Sequence, residues 1–424
     1  MAGRRQALAG AARCLADHLN ADPADYAGPA LPCPTCRGSA RYAGRPAKTF
    51  TTALGPLTLT RAYYHCAACQ QGFCPRDQAL GLDGSTLSPA VQRMLGTAAA
   101  LASFAESTEL LAALAGIAVD PTQVERTAEA LGQAMAADEA QYVVPAPASE
   151  IAPPLYLGLD GTGVPMRNAD LAGRPGKQPD GSAKTRAVKL CTIWSAAGRD
   201  AAGVPVRAAG SVSYSAAIES AATRATDPVG SPFAQRVERE AVRRGFDRAR
   251  RQVVLGDGAP WIWNLASEAF PRAIQIVDRF HAKEHLSDVA KALYGAPNEL
   301  GDAWATARHA ELDAGQLHAV VAALVQPYRS RRDPTKREAI RKCIGYLWSN
   351  RRRMRYPTFR RQGLCTSTAV VEAGCKVAIG TRLTRAGMPW SVRGANAIIA
   401  LRCCKLSGRF EDFWERRAER HRAS

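Results

Sequence analysis

The sequence predicts an α/β fold, in which apolar strands that end on acidic residues alternate with amphipathic helices. Two runs in the middle of the chain lead to this prediction: residues 253–255 run into Asp257, and residues 274–277 run into Asp278. A helical pattern follows each run, as in alternating α/β folds. Ligands of open sheets gather beyond the carboxyl ends of the strands, so we expect both carboxylates at one edge, where a site would lie. The flanking glycines leave a second interpretation of Asp257 open, as a turn or helix N-cap residue.

Composition and charge limit the class of protein. The chain has 424 residues and a net charge of +18, which indicate about three domains and a polyanionic partner such as nucleic acid. No run approaches the roughly 20 apolar residues that span a membrane. Asp17 and Asp22 interrupt the Ala-rich N-terminus, where a signal peptide needs an apolar core, so residues 1–30 predict a short helix. We expect a cytoplasmic protein with neither a membrane partner nor a small-molecule substrate.

Two CxxC pairs predict a structural zinc site in a zinc-ribbon domain at residues 31–80. The alternating β-formers of residues 48–65 predict a hairpin that brings the pairs together, so that four thiolates close a tetrahedral Zn²⁺ site without an open position for a substrate. Free thiols or a redox pair are the alternatives. Cys74 and His65 are near enough to be rival ligands, and we interpret each as a bystander. The four predicted ligands are Cys33, Cys36, Cys66 and Cys69.

Residues 81–142 predict a helical region that resembles a helix-turn-helix. Asp120 is a suitable N-cap for the second helix, and Pro121 suits its first position. A second helix in the major groove would bring polar side chains to DNA, whereas an ordinary helical hairpin is the alternative. The proline-rich residues 143–154 predict a linker. The candidate DNA contacts of the second helix are Thr122, Gln123 and Arg126.

Residues 155–284 predict the first part of an RNase H-like core. Three extended runs, the first ending on Asp160, precede an amphipathic helix, and two strands that end on Asp257 and Asp278 follow with a helix between them. This succession of strands and helices is the one found in RNase H-like folds. A third carboxylate at a strand end thus joins the two in the middle of the chain.

The remaining sequence predicts a helical insertion at residues 285–361 and the last part of the core at residues 362–424, with Glu372 on a helix and a further helix at the C-terminus. The insertion ends in a basic run. Such a run is often a solvated surface, but interleaved aromatic residues favour phosphate contact and base stacking. The aromatic residues are Tyr346, Trp348, Tyr356 and Phe359. The candidate phosphate contacts are Arg351, Arg352, Arg353 and Arg355.

Four segments carry a resemblance to a known family: GLDGTGVPM, VVLGDGAPWIWNLA, IVDRFHAKEHL and VEAGCKVAIGTRLTRAGMPWSVRGANAIIALR. Together they resemble the ISKra-type insertion-sequence transposases, which are related to the Mutator-like DDE enzymes. The resemblance covers most of the chain, because paired cysteines before the catalytic domain also belong to the family's layout. It implies an RNase H-like core with a helical insertion before the last acidic residue. The implied catalytic triad is Asp160, Asp257 and Glu372, and the implied Asp-x-x-His element is Asp278 and His281.

The resemblance implies a transposase that binds the terminal inverted repeats of a mobile element, cleaves DNA by metal-dependent hydrolysis and transfers the 3′ ends to target DNA. Such a protein would be nucleoid-associated, and pairing two DNA ends favours a homo-oligomer. A catalytically silent DNA-binding protein derived from a transposase is one alternative. An RNase H-like nuclease that cuts without joining is another. Arg382 and Trp390, in the last of the four segments, are further candidate DNA contacts.

The residue types explain this chemistry without the family. Three carboxylates form an oxygen-rich site for Mg²⁺ or Mn²⁺. Two such ions about 4 Å apart activate a water or a 3′-hydroxyl and stabilise the leaving oxygen of an in-line displacement. His281 would orient the scissile phosphate or simply hydrogen-bond in the core. His285, one turn further along, leaves a transition-metal pair open as an alternative.

Overall fold

The computed structural model describes residues 2–152, 154–171, 184–196, 198–201, 203–222, 230–330, 332–385 and 387–423. The chain divides into two compact units: Met1–Ala136 together with Gly408–Ser424, and Ala137–Ser407. The segment predicted as the last part of the core, residues 362–424, is therefore divided between the two units. In the described part of the chain, no helix is both long enough and apolar enough to cross a membrane.

The described residues contain both strands and helices. The strands are β1 (Ala30–Pro32), β2 (Ser39–Tyr42), β3 (Ala47–Thr52), β4 (Gly55–Thr60), β5 (Tyr64–Cys66), β6 (Gln71–Phe73), β7 (Pro154–Pro165), β8 (Thr185–Ser195), β9 (Gly198–Arg199), β10 (Pro205–Val206), β11 (Ser213–Ala217), β12 (Arg251–Gly256) and β13 (Ile274–Val277). The helices are α1 (Ala2–Ala21), α2 (Pro75–Ala79), α3 (Pro89–Leu101), α4 (Phe104–Leu110), α5 (Pro121–Gln141), α6 (Pro232–Arg244), α7 (Pro260–Ala269), α8 (Arg279–Tyr294), α9 (Glu299–Asp313), α10 (Leu317–Ser330), α11 (Pro334–Asn350), α12 (Tyr356–Arg361), α13 (Ala369–Gly374), α14 (Thr381–Leu383), α15 (Val392–Leu406) and α16 (Phe410–Ala423).

The first unit contains two small antiparallel sheets. The strand order of one is β1-β2-β5-β6, and β3 and β4 form a separate hairpin. Alternating apolar residues of the hairpin point to one side, where Phe50, Leu57 and Leu59 are buried against Leu82. The hairpin predicted within residues 48–65 is therefore present, but it has a core of its own.

The two predicted helices of the first unit, α4 and α5, each begin at a local capping signal. The α4 helix opens with a capping box of Ser103 and Glu106 and continues as a π-helical segment, Leu111–Ala115. The backbone amide of Gln123 donates to the Asp120 carboxylate at 2.9 Å, so Asp120 caps α5 as predicted, and Pro121 is the first helical residue. The helix, short turn and second helix of the prediction are confirmed at this level.

The second unit is built on a mixed five-stranded sheet with the strand order β11-β8-β7-β12-β13. Both neighbours of β8 are antiparallel to it, whereas β12 is parallel to β7 and to β13. The central strands are almost continuously apolar because they are buried on both faces. The parallel strands β7, β12 and β13 therefore bring their carboxyl ends to one edge of the sheet.

Close packing against the central strand requires a glycine. A Cβ atom at Gly158 of β7 would lie 2.0 Å from the Cγ2 atom of Val371 in α13. Because no larger residue fits there, the backbone of α13 can approach the strand closely. This contact brings the helix that carries Glu372 against the middle of the sheet.

The chain between β13 and α13 is helical and corresponds to α8–α12, with no strand among its described residues. The predicted insertion, residues 285–361, covers most of this segment, but α8 already begins at Arg279. Its helices pack by apolar positions such as Leu286, Leu312 and Leu347, all of which are buried. The α8 helix contacts both α9 and α11, so this segment has an internal core.

Candidate functional site

The four predicted zinc ligands form one cluster in the first unit. The sulfur atoms of Cys33, Cys36, Cys66 and Cys69 all lie within 4.8 Å of one another. The Cys33–Cys69 and Cys36–Cys66 sulfur pairs are each 3.6 Å apart. Four thiolates about 2.3 Å from a tetrahedral zinc ion would be separated by about 3.8 Å. The cluster therefore fits Zn²⁺ with little change.

Backbone geometry supports this interpretation. Arg37 and Gln70 have φ values of 61° and 57°, and they are the non-glycine residues with positive φ in the described chain. Each directly follows the second cysteine of a CxxC pair, so the two knuckles turn in the same way. A hydrogen bond from the backbone amide of Cys36 lowers the pKa of Cys33 to about 6. The first knuckle thus favours the thiolate at Cys33, the form that binds metal, whereas burial raises the pKa of Cys69 to about 12.

The knuckles are brought together by the four-stranded sheet and not by the predicted hairpin. In that sheet β2 pairs with β5, and Ala40 lies opposite Cys66. The β3–β4 hairpin is an excursion between these strands with its own core. Cys74 and His65 do not belong to the cluster, and Cys74 instead accepts a hydrogen bond from Arg61 at 3.4 Å. Both are therefore bystanders, as interpreted from the sequence.

The predicted strand-end carboxylates lie at one level of the sheet in the second unit. Leu255 of β12 pairs with Gly158 of β7, so the same register continued by two residues brings Asp257 beside Asp160. Gly256 pairs with Val277, so Asp278 is the neighbour on the other side. The expectation that strand ends deliver carboxylates to one edge is confirmed for Asp257 and Asp278.

The strand that carries Asp160 does not end there, contrary to the expectation. The β7 strand continues to Pro165, because β8 pairs with it along its whole length. Only the parallel pairing with β12 stops before Asp160. Asp160 therefore lies on an extended strand beside the turn that holds Asp257.

Asp160 is half-buried and held at both oxygens. Its Oδ1 atom accepts from the Gly161 amide at 2.6 Å, and its Oδ2 atom accepts from the Cys375 thiol at 3.3 Å. Burial raises the pKa of Asp160, and the nearby charge of Asp257 acts in the same direction. Cys375 was not predicted as a site residue; it lies 215 positions from Asp160.

Asp257 occupies a tight turn after β12. Its Oδ1 atom accepts from the Ala259 amide at 2.8 Å, and its carbonyl oxygen accepts from the Tyr346 hydroxyl at 2.7 Å. Gly258 has a φ of +106°, and a Cβ atom there would lie 2.5 Å from the Tyr346 ring. The turn interpretation and the site interpretation of Asp257 are thus compatible. Tyr346, predicted to stack on bases, instead supports the backbone of this turn.

Glu372 is half-buried on α13, one turn after Thr368, and its Oε1 atom lies 3.2 Å from the Thr368 hydroxyl. The helix continues directly into a π-helical segment, Cys375–Gly380. Short π-helical insertions often occur at functional sites. Here the insertion begins at Cys375, the residue that contacts Asp160, so α13 contributes to the surroundings of two of the predicted carboxylates.

Asp278 is fully buried, and both of its oxygens are engaged. Its Oδ1 atom accepts from the backbone amides of Phe280 and His281, which makes it the N-cap of α8. Its Oδ2 atom accepts from the amide of Thr368 at 2.6 Å and from the hydroxyl of the same residue. Four hydrogen bonds to protein groups leave little capacity for a metal ion.

The two histidines of α8 have opposite electrostatic environments. Burial lowers the pKa of His281, but the 2.8 Å hydrogen bond to Glu284 and the charges of Glu284 and Asp257 outweigh it, so the pKa lies above its ordinary value. Burial and the neighbouring His281 lower the pKa of His285, whose ring lies 3.9 Å from that of Tyr346. The carboxylates around His281 thus favour its protonated form more than the surroundings of His285 do.

The acidic residues form an open set, unlike the cysteines. Within the described residues, the cysteine cluster is the only group of three or more possible ligand residues whose atoms all lie within 4.8 Å of one another. Mg²⁺ commonly uses one or two protein carboxylates and completes its shell with water and phosphate. In the described part of the chain, Asp160, Asp257 and Glu372 do not form so close a group, and both oxygens of Asp278 accept hydrogen bonds from protein groups.

The predicted DNA contacts differ in their exposure. Thr122 and Arg126 of α5 are exposed, whereas Gln123 is half-buried and lies 3.3 Å from the Thr86 hydroxyl. Arg382 is completely buried with its guanidinium over the Trp390 ring, which is itself buried. The prediction that Arg382 and Trp390 contact DNA is therefore wrong, because both side chains pack inside the second unit.

The basic run is also divided. Arg351, Arg352 and Arg355 are exposed, but Arg353 donates to Gln275 at 2.7 Å and lies over the Trp263 ring. Of the interleaved aromatic residues, Trp348 is 50% exposed. The prediction that Tyr356 and Phe359 stack on bases is wrong, because both side chains are buried.

Comparisons with known proteins add three findings. A model of an uncharacterised protein family, UPF0236, matches residues 37–418. A search of curated proteins finds no match. Among solved structures, the chain is similar to the Drosophila P element transposase strand transfer complex, with 11% sequence identity and a TM-score of 0.27 over 76% of this chain and 80% of that chain. The family match extends over both units, while the structural likeness is too distant to bear on fold or function.

Proposed function

The chain belongs to the uncharacterised protein family UPF0236, and we propose that it is a metal-dependent DNA transposase with an RNase H-like core. The observation that carries the proposal is the common level of Asp160 on β7 and Asp257 in the turn after the parallel strand β12, with the Glu372 helix packed against the same sheet. Strand-edge carboxylates of this kind suit phosphoryl transfer because oxygen ligands hold hard divalent cations. The sequence resemblance to ISKra-type transposases agrees with this chemistry.

The sheet supports the proposed core. Its order begins with an antiparallel edge, β11-β8-β7, and continues with β12 and β13 parallel to β7. The sequence predicts an RNase H-like fold from three strands, a helix, and two more strands separated by a helix. The described elements β7, β8, β11, α6, β12, α7 and β13 follow that succession around the two-residue strands β9 and β10.

The proposed chemistry is phosphoryl transfer at three carboxylates. Asp160, Asp257 and Glu372 would hold Mg²⁺ or Mn²⁺, which would supply Lewis-acid stabilisation of the phosphate oxygens. In cleavage, water forms a new P–O bond as the bond to the 3′ oxygen breaks. In joining, the released 3′-hydroxyl forms the new bond and a target-strand oxygen leaves. A protonated His281 would attract the scissile phosphate, because its pKa is raised by the neighbouring carboxylates.

Charge supports DNA as the substrate. The chain has a net charge of +18, and the exposed arginines Arg351, Arg352 and Arg355 follow α11, the helix whose Tyr346 contacts the Asp257 turn. The basic surface and the proposed site are thus both linked to one helix. The exposed α5 residues Thr122 and Arg126 would contact terminal-repeat DNA.

The test is cleavage and joining of labelled DNA that carries the ends flanking the gene. Asp160→Asn, Asp257→Asn and Glu372→Gln should each reduce both steps by about 10²-fold or more, because loss of a ligand misplaces the reacting groups. Each variant should still bind DNA. Glu299→Gln, on an exposed position of α9, is the matched control and should retain native rates.

Each of the other outcomes would favour a different function for the chain. Cutting without joining would favour an RNase H-like nuclease, and DNA binding without either step would favour a catalytically silent derivative. A Glu372→Gln protein that cuts and joins at the native rate would remove Glu372 from the triad. Glu284, which lies beside His281, and Glu268 would then be the next carboxylates to replace.

A further inference from the structure

The buried carboxylate of Asp278 connects three parts of the second unit. Its backbone amide donates to Gly256, the residue before Asp257, at 2.9 Å. Its Oδ1 atom caps α8, and its Oδ2 atom binds Thr368, which lies 90 positions further along the chain. Asp278 is therefore joined both to the turn that holds Asp257 and to the residue that begins the Glu372 helix.

An ordinary helix cap does not need these extra contacts. Asp333 caps α11 by accepting from the amides of Thr335 and Lys336 at 2.9 and 3.3 Å, and it is exposed. Asp278 makes the equivalent two contacts but is fully buried. Burying a carboxylate is costly unless its oxygens are fully hydrogen-bonded. The second oxygen of Asp278 is thus committed to Thr368 and not to the capped helix.

Thr368 is the N-cap of α13, yet its side chain does not bind the amides of its own helix. Threonine at this position commonly accepts from such an amide. Here the Thr368 hydroxyl instead lies between two carboxylates, close to Asp278 Oδ2 and 3.2 Å from Glu372 Oε1. The hydroxyl has one proton for two acceptors. The Thr368 amide already donates to Asp278 Oδ2. The hydroxyl can therefore turn toward Glu372 without leaving that oxygen unpaired.

A second tie fixes the same loop. The backbone amide of Arg279 donates to the carbonyl of Thr366 at 3.0 Å, beside the contact between Thr368 and Asp278. Residues 366–368 are therefore held to the start of α8 at two points. Glu372, one turn later, takes its position along the sheet from this attachment and from the close contact at Gly158.

We propose that Asp278 and Thr368 form a clamp that positions Glu372 relative to Asp257. Both act as positioning residues: Asp278 holds Thr368, and the Thr368 hydroxyl orients the Glu372 carboxylate. The inference deepens the proposed function and rests on Glu372 as a ligand of a divalent cation. Residues that orient ligating carboxylates in this way typically change metal affinity by about 10–100-fold when replaced.

The first test measures Mn²⁺ binding to the full chain by calorimetry, with zinc bound and without DNA. Thr368→Val keeps the shape but removes the hydroxyl, and it should weaken Mn²⁺ binding by about 10-fold or more. Thr368→Ser keeps the hydroxyl, so its Mn²⁺ affinity should lie within about 3-fold of the native value. That change is smaller than the roughly 10–100-fold typical when an orienting residue is lost. Thr384→Val is the matched control, because its exposed hydroxyl donates to a backbone carbonyl, that of Gly380, at 2.8 Å.

The second test separates clamping from capping. Asp278→Asn would turn an amide NH₂ toward the Thr368 amide, so it should weaken Mn²⁺ binding as much as Thr368→Val does. The double variant should bind no more weakly than either single one, because the two residues act in series. Asp333→Asn, the matched cap in α11, should leave Mn²⁺ affinity unchanged.

Three results would overturn the clamp: native affinity in Thr368→Val, a loss that Thr368→Ser does not restore, or no Mn²⁺ binding by the native chain. The proposed function fails separately. A native chain that binds Mn²⁺ through Glu372 with the expected Thr368 dependence, but neither cuts nor joins DNA, would support the clamp and contradict the transposase.

Discussion

The cysteine cluster and the acidic site are built in opposite ways. The four cysteine sulfurs lie within 4.8 Å of one another and leave no position for a substrate. The carboxylates come from β7, the turn after β12 and α13, and do not form so close a group among the described residues. A closed thiolate site gives stability, whereas an open oxygen site leaves room for water and phosphate.

The difference follows from how each set is held before metal binds. The cysteines depend on two knuckles joined by one small sheet, so a bound zinc ion would complete their local structure. The carboxylates are already held by protein donors, such as Gly161 and Cys375 at Asp160 and Ala259 at Asp257. Metal should therefore be part of folding in the first case and of reactivity in the second.

Zinc removal should have the largest effect. The native chain should contain one zinc ion, and Cys33→Ser or chelation should expose β1, β2, β5 and β6 to rapid amide exchange. Structural zinc contributes about 10–16 kcal/mol in small domains, which is comparable with the whole stability of a domain, about 5–15 kcal/mol. Hydrogen exchange measured by mass spectrometry checks this, together with elemental analysis.

The controls for zinc lie in the same unit. Cys74→Ser and Cys14→Ser should retain the ion, because Cys74 contacts Arg61 and neither residue belongs to the cluster. In the same experiment, removal of Mg²⁺ should leave exchange in β7 and β12 unchanged. If the native chain held no zinc, or if chelation caused equal loss of structure in both units, the cysteine cluster and the acidic site would not differ in this way.

The exposed arginines should have the next largest effect. Replacing Arg351, Arg352 and Arg355 together with Gln should weaken binding to most DNA alike. It should also flatten the salt dependence by about 0.9 log unit per log unit of salt for each phosphate that the variant no longer neutralises. Fluorescence anisotropy with labelled duplexes at several salt concentrations measures both quantities.

Arg353→Gln is the internal comparison for this run. Its guanidinium is engaged by Gln275 and Trp263, so the replacement should affect stability more than the salt slope. Arg341→Gln, which breaks an exposed ion pair with Glu338, should change neither by much. An unchanged slope in the triple variant would make the run a solvated surface.

The histidines of α8 should show the smallest effect. In NMR titrations the His281 ring should titrate above its ordinary pKa of about 6.5 and His285 below it, as their opposite environments require. Glu284→Gln should move the His281 midpoint downward, because it removes the hydrogen-bonded carboxylate. His285 is the control within the same spectrum.

The direction of the His281 pKa shift fixes how the contribution of His281 to stability depends on pH. A raised folded-state pKa means that the contribution of His281 is fully present below its unfolded pKa and is lost as pH rises through the folded value. The stability difference between the native chain and Glu284→Gln should shrink over that interval. A pH-independent difference would show that the pair acts without the charge on His281.

Much of the local structure was predictable because neighbouring residues decide it. The spacing of each CxxC pair makes a knuckle, and Asp120 followed by Pro121 starts a helix, since both signals act within a few residues. The two apolar runs that end at Asp257 and Asp278 form parallel neighbours as expected. Together these local signals determined the cysteine cluster, the helix starts and the acidic edge of the sheet.

Only the tertiary structure decided which side chains share an environment. The β7 strand continues past Asp160 because β8 pairs along it, and Arg382 and Trp390 are buried by packing that no local pattern reveals. The contacts of Thr368 with Asp278 and of Cys375 with Asp160 join residues 90 and 215 positions apart. Burial and partnership depend on such long-range packing, so sequence alone predicted the carboxylates but not the groups that hold them.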